Sequence, residues 1–127
     1  MDTNYDDWSD LQVVTEVAKR RGLLIMPEDG SGYSHDYRAK YPSTVWVAKH
    51  EFGNQIEPWE QFNCVKCPND AWPIIVESKI GVMHHWNKED FWTAVSPKSG
   101  SHFDCTDKNP LRAAMICFLK LTDAQND

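Results

Sequence analysis

The sequence predicts a single α+β domain in which about three helices pack on a small, mainly antiparallel β-sheet of roughly four strands. Apolar residues recur at helical spacing near both ends of the chain, whereas the runs Ser43–Lys49, Val82–Trp86 and Phe91–Val95 have strand-like composition without a 3.6-residue period. These runs make a purely helical bundle the weaker alternative. The 127 residues fit one domain, 1–127, which buries about two thirds of its unfolded surface.

The first predicted helix spans Trp8–Gly22. Ser9 can cap its start, and Gln12, three residues on, completes a capping box. An apolar stripe at helical spacing is formed by Leu11, Val14, Val17 and Ala18. The basic residues Lys19–Arg21 suit the negative end of the helix dipole before Gly22 closes it, so this cluster needs no phosphate ligand to explain it.

Short strands and a long loop are expected next. Leu23–Met26 is an apolar run of strand length, and Tyr33–Pro42 is polar, aromatic and without a period, which predicts a surface loop that can act as a lid. The strand predicted at Ser43–Lys49 would place its even-numbered residues on one face and its odd-numbered residues on the other.

Two further helices and a hairpin complete the prediction. Helix two is expected to start near Trp72 or Pro73, because the residue before a proline is disfavoured in a helix, with Asn69 or Asp70 as its cap. Val82–Trp86 and Phe91–Val95 predict a hairpin with Trp86 opposite Trp92. Helix three should run from Asn109 to about Leu121, leaving 122–127 as a frayed polar tail.

The last two helices carry a family resemblance. The stretch Asn69–Ile80 reads N-D-A-W-P-I-I-V-E-S-K-I, and after an aromatic strand around Phe91–Val95 the chain continues N-P-L-R-A-A-M-I-C-F-L from Asn109. In this order they resemble the NinX family of small phage proteins over about residues 63–121, and before that only the opening helix is similar. The resemblance implies a phage origin and layers of helix and sheet, and it brings no catalytic or binding residues.

Charge and composition limit the classes of partner that we expect the protein to bind. Nineteen acidic against thirteen basic residues give a net charge of −6, which argues against nucleic acid as the main partner because phosphate binding needs a basic face. An acidic surface fits a basic partner or simple solubility. The six Trp residues suit either a small core or a binding or assembly surface, a homo-oligomer included. No run is long enough to span a membrane and the acidic start is unlike a signal peptide, so we expect the cytoplasm of the bacterial host.

Four residues have the spacing of a zinc site. Cys64 and Cys67 form C-x-x-C, and His102 and Cys105 form H-x-x-C in a Gly-Ser-rich stretch that we expect to be a loop. The alternative is small buried or exposed thiols with no metal, and this is the interpretation we favour. We therefore predict no cofactor, with zinc as the alternative.

A ligand site is the second candidate. Arg112 falls in the first turn of helix three, where the helix dipole disfavours a cation, and Lys108 adds a second positive charge. Either an internal carboxylate or an anionic ligand on the helix N-terminus would compensate this cost. If the Asn69 and Asn109 ends meet, Trp72 joins these cations in a pocket suited to a nucleotide-like molecule.

The functional expectation follows from size, acidity, Trp content and resemblance. We expect a phage accessory protein that binds a host or phage protein during infection and is not an enzyme, since no local signature such as G-x-S-x-G is present. Countering a host defence is one role of this kind. The alternatives are a binder or sponge for a small anionic, nucleotide-like signal, and a zinc-stapled interaction module.

Overall fold

Helices and short antiparallel strands together make up the described chain. A computed structural model describes residues 4–25, 45–98 and 101–126, excluding the side chains of residues 97, 98, 101–103, 125 and 126. Within these ranges the helices are α1 (Asp10–Arg20), α2 (Pro68–Ser78) and α3 (Pro110–Asn126), and a 3-10 turn at Tyr5–Asp7 precedes α1. The predicted α+β class is confirmed. None of the described helices combines the length and apolar character that a membrane span requires.

The strands form three small sheets where one sheet was predicted. In chain order they are β1 (Leu24–Ile25), β2 (Val45–Ala48), β3 (His50–Glu51), β4 (Asn54–Gln55), β5 (Glu60–Phe62), β6 (Gly81–His84), β7 (Trp92–Lys98) and β8 (Ser101–Asp107). The first sheet has the order β1-β2-β5, the second is the hairpin β3-β4, and the third has the order β6-β7-β8. Each described strand pairing is antiparallel.

Helix α3 forms the centre of the core. Its residues Ala113–Leu119 are all buried, because α3 packs on the third sheet and also contacts α1 and α2. The helix continues beyond the predicted end at Leu121, so the expected fraying of the tail is wrong as far as Asn126. Thr122 donates to the Phe118 carbonyl oxygen at 2.9 Å, which helps to hold this last part in the helix.

The start of α1 follows the sequence prediction. Gln12 donates its backbone N–H to Ser9 Oγ at 3.2 Å, and the Gln12 side chain accepts from the Ser9 N–H at 2.8 Å, so the capping box is confirmed. The buried face differs in one respect. Val13 is fully buried, whereas Leu11 is 37% exposed.

Helix α2 begins earlier than predicted. It starts at Pro68 after the N-cap Cys67, so the expected start near Trp72 or Pro73 is wrong. Pro68 occupies the first position, where a missing N–H costs nothing, and Pro73 lies inside the helix. An interior proline costs about 3 kcal/mol relative to alanine. Burial of the inner side offsets this cost, and that side consists of Ala71, Ile74 and Ile75.

The residues predicted to cap α2 have other positions. Asn69 and Asp70 lie within its first turn, and neither is the N-cap. Asp70 Oδ2 instead accepts the backbone N–H of Asn63 at 2.9 Å, which fixes the chain before the helix. After Ser78 the helix is closed by Lys79 in the left-handed region, with φ of 57°.

The third sheet confirms the predicted hairpin and corrects its details. β6 and β7 pair with His84 opposite Trp92, so the expected pairing of Trp86 with Trp92 is wrong. The stretch from His102 to Cys105, expected to be a loop, lies in β8. Its polar composition concealed an alternation in which Cys105 is buried between two exposed residues.

Within the described residues, the predicted early strands correspond to β1 (Leu24–Ile25) and β2 (Val45–Ala48). Every residue of β2 is buried, so this strand does not have one exposed face. The predicted lid Tyr33–Pro42, together with Ser43 and Thr44, lies outside the described residues.

Candidate functional site

Arg112, in the first turn of α3, is surrounded by acceptors from the protein itself. Its Nη1 lies 2.8 Å from Asp10 Oδ1 and its Nε lies 3.1 Å from Asp107 Oδ2. Its Nη2 donates to the Trp8 carbonyl oxygen at 2.6 Å and, at longer range, to two other carbonyls of the turn before α1. The side chain is only 11% exposed. Two internal carboxylates, Asp10 and Asp107, therefore supply the negative charge expected near Arg112. This was one of the two alternatives predicted from the sequence, the other being an anionic ligand.

Electrostatics explain why a cation is tolerated here. The starts of α1 and α3 both present the positive ends of helix dipoles. Asp10 lies in the first turn of α1 and Asp107 lies just before α3, so each carboxylate is favourably placed. Arg112 bridges the two carboxylates and offsets their mutual repulsion. The arrangement joins two helix starts and leaves the guanidinium little freedom to bind anything else.

Asn109 joins the two regions that carry the family motifs. Its Oδ1 accepts the N–H of Leu111 at 2.9 Å and, more weakly, that of Arg112 at 3.4 Å, which caps α3. Its Nδ2 donates to the Val65 carbonyl oxygen at 2.6 Å. The start of α3 therefore contacts the turn that leads into α2.

The other predicted ligand residues lie in separate surroundings. Lys108 is exposed, with its Nζ 5.8 Å from the centre of the Phe91 ring. Trp72 is 64% exposed on α2. Asn69 is exposed and lines a cleft to which the other four predicted ligand residues do not contribute. A pocket that uses all five residues stays a prediction, and in it Arg112 would have to exchange protein partners for a ligand.

The cleft beside Asn69 has a volume of about 480 Å³. Its apolar wall includes Leu23, Ile56, Phe62, Pro73 and Ile74. Arg21 and Lys49 bring positive charge to it, and each has an acidic neighbour. Arg21 Nη1 lies 2.5 Å from Glu77 Oε2, whereas the Lys49 ammonium lies 3.8 Å from Glu57 Oε1. Lys49 is therefore the more available cation.

The predicted zinc ligands are not gathered in the described structure. Among the described side chains, no group of three or more His, Cys, Asp or Glu residues could hold a metal ion. Cys64 and Cys105 are buried, Cys67 is half-buried, and the side chain of His102 lies outside the described residues. Burial raises the pKa of the Cys64 and Cys105 thiols to about 12, so both carry their protons at neutral pH.

The two adjacent histidines have separate partners. The His84 ring meets Trp92 edge-on with the ring centres 5.4 Å apart. His85 Nδ1 accepts the backbone N–H groups of Asn87 and Lys88, both at 3.0 Å. Both histidines therefore make contacts within the β6–β7 hairpin.

The comparison with protein families assigns the chain. The family model described as Bacteriophage P22, NinX, matches residues 4–121. The chain belongs to the phage P22 NinX family. The match covers α1 and its capping box as well as the region 63–121 that carries the resemblance. A comparison with curated proteins finds no match.

The region matched by the NinX model includes an exposed apolar surface on α2 that was not predicted from the sequence. Helix α2 buries Ala71, Ile74 and Ile75 on its inner side, yet its outer side exposes Trp72 and Val76, one helical turn apart. Trp72 was predicted to bind a ligand, but Val76 was not. The signal was available, because the run W-P-I-I-V has no polar residue to form an outer face.

A second missed feature of the NinX chain is the tip of the β3–β4 hairpin. Phe52 is 94% exposed and has φ of 54°. No helix or strand was predicted for this stretch from the sequence. The dipeptide Phe-Gly between two short polar runs is compatible with a two-residue turn, although the usual first residue would be Asn or Asp.

Proposed function

We propose that this NinX-family protein is a binding module without enzymatic activity that docks a host or phage protein in the bacterial cytoplasm during infection. The observation that carries the proposal is the outer face of α2, where Trp72 and Val76 are exposed at 64% and 54% on a helix whose inner face is already buried. Large apolar side chains exposed together on one surface are typical of protein–protein interaction sites. A partner that covers the outer face would satisfy this pattern.

The proposed mode is a helix lying in an apolar groove of the partner. Such contacts are anchored by residues at spacing i, i+3, i+4, which Trp72 and Val76 provide, and Trp is enriched at the centre of interfaces. The net charge of −6 favours a partner groove with basic residues at its rim. Occupying a host defence protein is one outcome of such docking.

The chemistry of the described side chains supports binding over catalysis. Burial raises the pKa of the Cys64, Cys105 and Cys117 thiols to about 12, which keeps them protonated and weakly nucleophilic at neutral pH. Arg112 is bound to Asp10 and Asp107. The surroundings of these thiols and of Arg112 therefore suit a structural role.

The test is recovery of a partner from phage-infected cells with tagged protein. Wild type should recover one protein at a stoichiometric level, and Trp72→Ala combined with Val76→Ser should lose it while the fold remains intact. Met83→Ser is the matched control, because Met83 is 52% exposed on β6 and its loss should leave recovery unchanged. Repeated recovery of no partner, together with turnover of a small molecule, would refute the proposal.

A second candidate, a binder of a small anionic ligand, is favoured by the cleft that contains Asn69, Lys49 and His50. Its volume of about 480 Å³ is in the range of small-molecule sites. A ligand that binds only the folded form raises the melting temperature. Linear and cyclic nucleotides should then stabilise wild type and have less effect on Lys49→Ala, with Lys108→Ala as the control for the pocket predicted from the sequence. No shift with any member of the panel would remove this candidate.

A further inference from the structure

The β3–β4 hairpin holds an aromatic side chain out in solvent. Phe52 is 94% exposed, the highest value among the large hydrophobic residues described. Phe52 and Gly53 form the two-residue turn, with φ of 54° and 82°. A hairpin turn with positive φ at both positions is of type I′, and Asn-Gly or Asp-Gly is its usual sequence.

Phenylalanine is an unfavourable choice at this position. A side chain with a Cβ is disfavoured in the left-handed region, and Asn or Asp relieves part of the cost by bonding locally. Phe52 gains no burial in return. A strained backbone conformation whose cost is not offset by burial of the side chain is typical of positions that serve a function.

The hairpin itself contributes little to the folded core. All four residues of β3 and β4 are exposed, and the two strands contact chiefly each other. The base of the hairpin is fixed by the Ile56 N–H, which donates to the Lys49 carbonyl oxygen at 3.0 Å. The hairpin is therefore anchored at its base and free of described contacts at its tip.

The chain segment that contains Phe52 is acidic. Glu51, Glu57 and Glu60 are all exposed, and the one lysine of this segment, Lys49, has its ammonium 3.8 Å from Glu57. Glu51 and Glu60 therefore give the segment an excess of negative charge. A partner surface with positive charge would complement it.

We propose that the hairpin is a recognition finger that inserts Phe52 into an apolar socket, rimmed by Lys and Arg residues, on a partner protein. The inference rests on the proposed function as a binding module, and it names a second surface and the chemistry of the partner at that surface. A single aromatic anchor in a desolvated pocket can dominate an interface, while complementary charges at the rim favour the right partner and speed its encounter.

The first test separates a binding role from a structural one. Phe52→Asn places the usual residue in a type I′ turn, so the melting temperature should rise, by about 3 °C. Trp86→Asn is the matched control, since Trp86 is 86% exposed near another hairpin turn and has no positive φ. It should not raise the melting temperature. A fall in the melting temperature of Phe52→Asn would mean that Phe52 supports the fold, and the inference would be wrong.

The second test locates the partner. A photo-crosslinking amino acid is placed at position 52, 72 or 86 of the full chain in phage-infected cells, and the cross-linked peptides are sequenced. Position 52 should link to one protein, at apolar residues with Lys or Arg close by in the partner's structure, whereas position 86 should not. Links to nucleic acid, lipid, a second copy of the chain or an acidic surface would each overturn the inference. Cross-links at position 72 with none at position 52 would reject the role of the hairpin and leave the proposed function intact. No cross-link at either position would count against the proposed function as well.

The third test uses the protein identified by cross-linking. Phe52→Asn should weaken its affinity by roughly thirtyfold, as expected for a central aromatic anchor, and Phe52→Trp should retain most of it. Glu51→Gln with Glu60→Gln should slow association and reduce its salt dependence, whereas Glu89→Gln with Asp90→Asn at the other hairpin should not. Unchanged affinity in Phe52→Asn would contradict the inference.

Discussion

Arg112 Nη1 lies 2.8 Å from Asp10 Oδ1, a contact between residues 102 positions apart in the chain. It brings the start of α3 to the start of α1, while Asp107 binds the same guanidinium from the other side at 3.1 Å. Arg112 and Asp107 are only 11% and 22% exposed, so solvent screens their ion pair weakly, whereas Asp10 is 51% exposed and its contact is screened more strongly. This cluster therefore fixes how two of the three described helices meet.

The first prediction concerns the stability that this cluster provides. Arg112→Met should lower the free energy of unfolding by roughly 3 kcal/mol, because it leaves a partly buried carboxylate and several carbonyls without their donor. Arg21→Met is the control, since the Arg21–Glu77 pair is more exposed and should contribute less than about 1 kcal/mol. Urea unfolding measures both. Equal small losses would mean that the contacts of Arg112 contribute little to the fold.

The second prediction concerns Asn109. Asn109→Ala loses both the cap of α3 and the bond to the Val65 carbonyl oxygen, and should cost about 2 kcal/mol. Asn109→Asp keeps the capping oxygen but loses the Nδ2 donor, so its cost should be intermediate. Asn69→Ala, at an exposed position in the first turn of α2, should be nearly neutral. An aspartate variant as unstable as the alanine variant would show that the bond to Val65 dominates.

Local sequence rules predicted the features that depend on local contacts. The capping box of α1 involves residues three apart, and the β6–β7 hairpin is formed by neighbouring strands. Both were predicted correctly. The start of α2 was not, because Pro73 was taken as a boundary although Pro68 already fills the position that tolerates proline. The helix tolerates the interior proline because the burial of Ile74 and Ile75 in the core stabilises it.

Features that depend on distant contacts could be predicted only as alternatives. The position of Arg112 in a helix start indicated a nearby negative charge, but the choice between a ligand and a carboxylate depended on Asp10, which lies far away in sequence. Strand β8 was missed because most of its residues are polar, which hid the burial of Cys105 between the exposed Asp104 and Thr106. The exposure of Val76 and Phe52 depends on which faces the other elements cover, and a pattern along one segment does not contain that information.

The third prediction concerns zinc. The purified protein should contain no stoichiometric metal and a chelator should leave its melting temperature unchanged, because the described His, Cys, Asp and Glu side chains, Cys64, Cys67 and Cys105 among them, form no group of three or more that could hold a metal ion. Cys67→Ser should cost little, since Cys67 is only half-buried. Elemental analysis checks the prediction directly. One zinc per chain would instead support the zinc-stapled module and would require the ligands to gather on binding.

The fourth prediction is a loss of stability at alkaline pH. Burial raises the pKa of the Cys64, Cys105 and Cys117 thiols from 9.0 to about 12 in the folded protein. Between these values the unfolded chain releases protons that the folded protein retains, so the free energy of unfolding falls as pH rises above 9 and is unaffected by these thiols well below it. At pH 10 each thiol should contribute a loss of about 1 kcal/mol.

A variant pair can separate this effect from other groups that titrate at high pH. Urea unfolding at pH 7.5 and pH 10 gives the pH-dependent loss for each protein. Cys64→Ala will lower stability at both pH values through the lost side chain, but its pH-dependent loss should be smaller than that of wild type by about 1 kcal/mol. Cys67→Ser should show the full wild-type loss. If Cys64→Ala loses as much stability on going to pH 10 as wild type, the Cys64 thiol must be able to ionise within the folded protein, and the packing around the turn before α2 must be looser than the burial of that residue indicates.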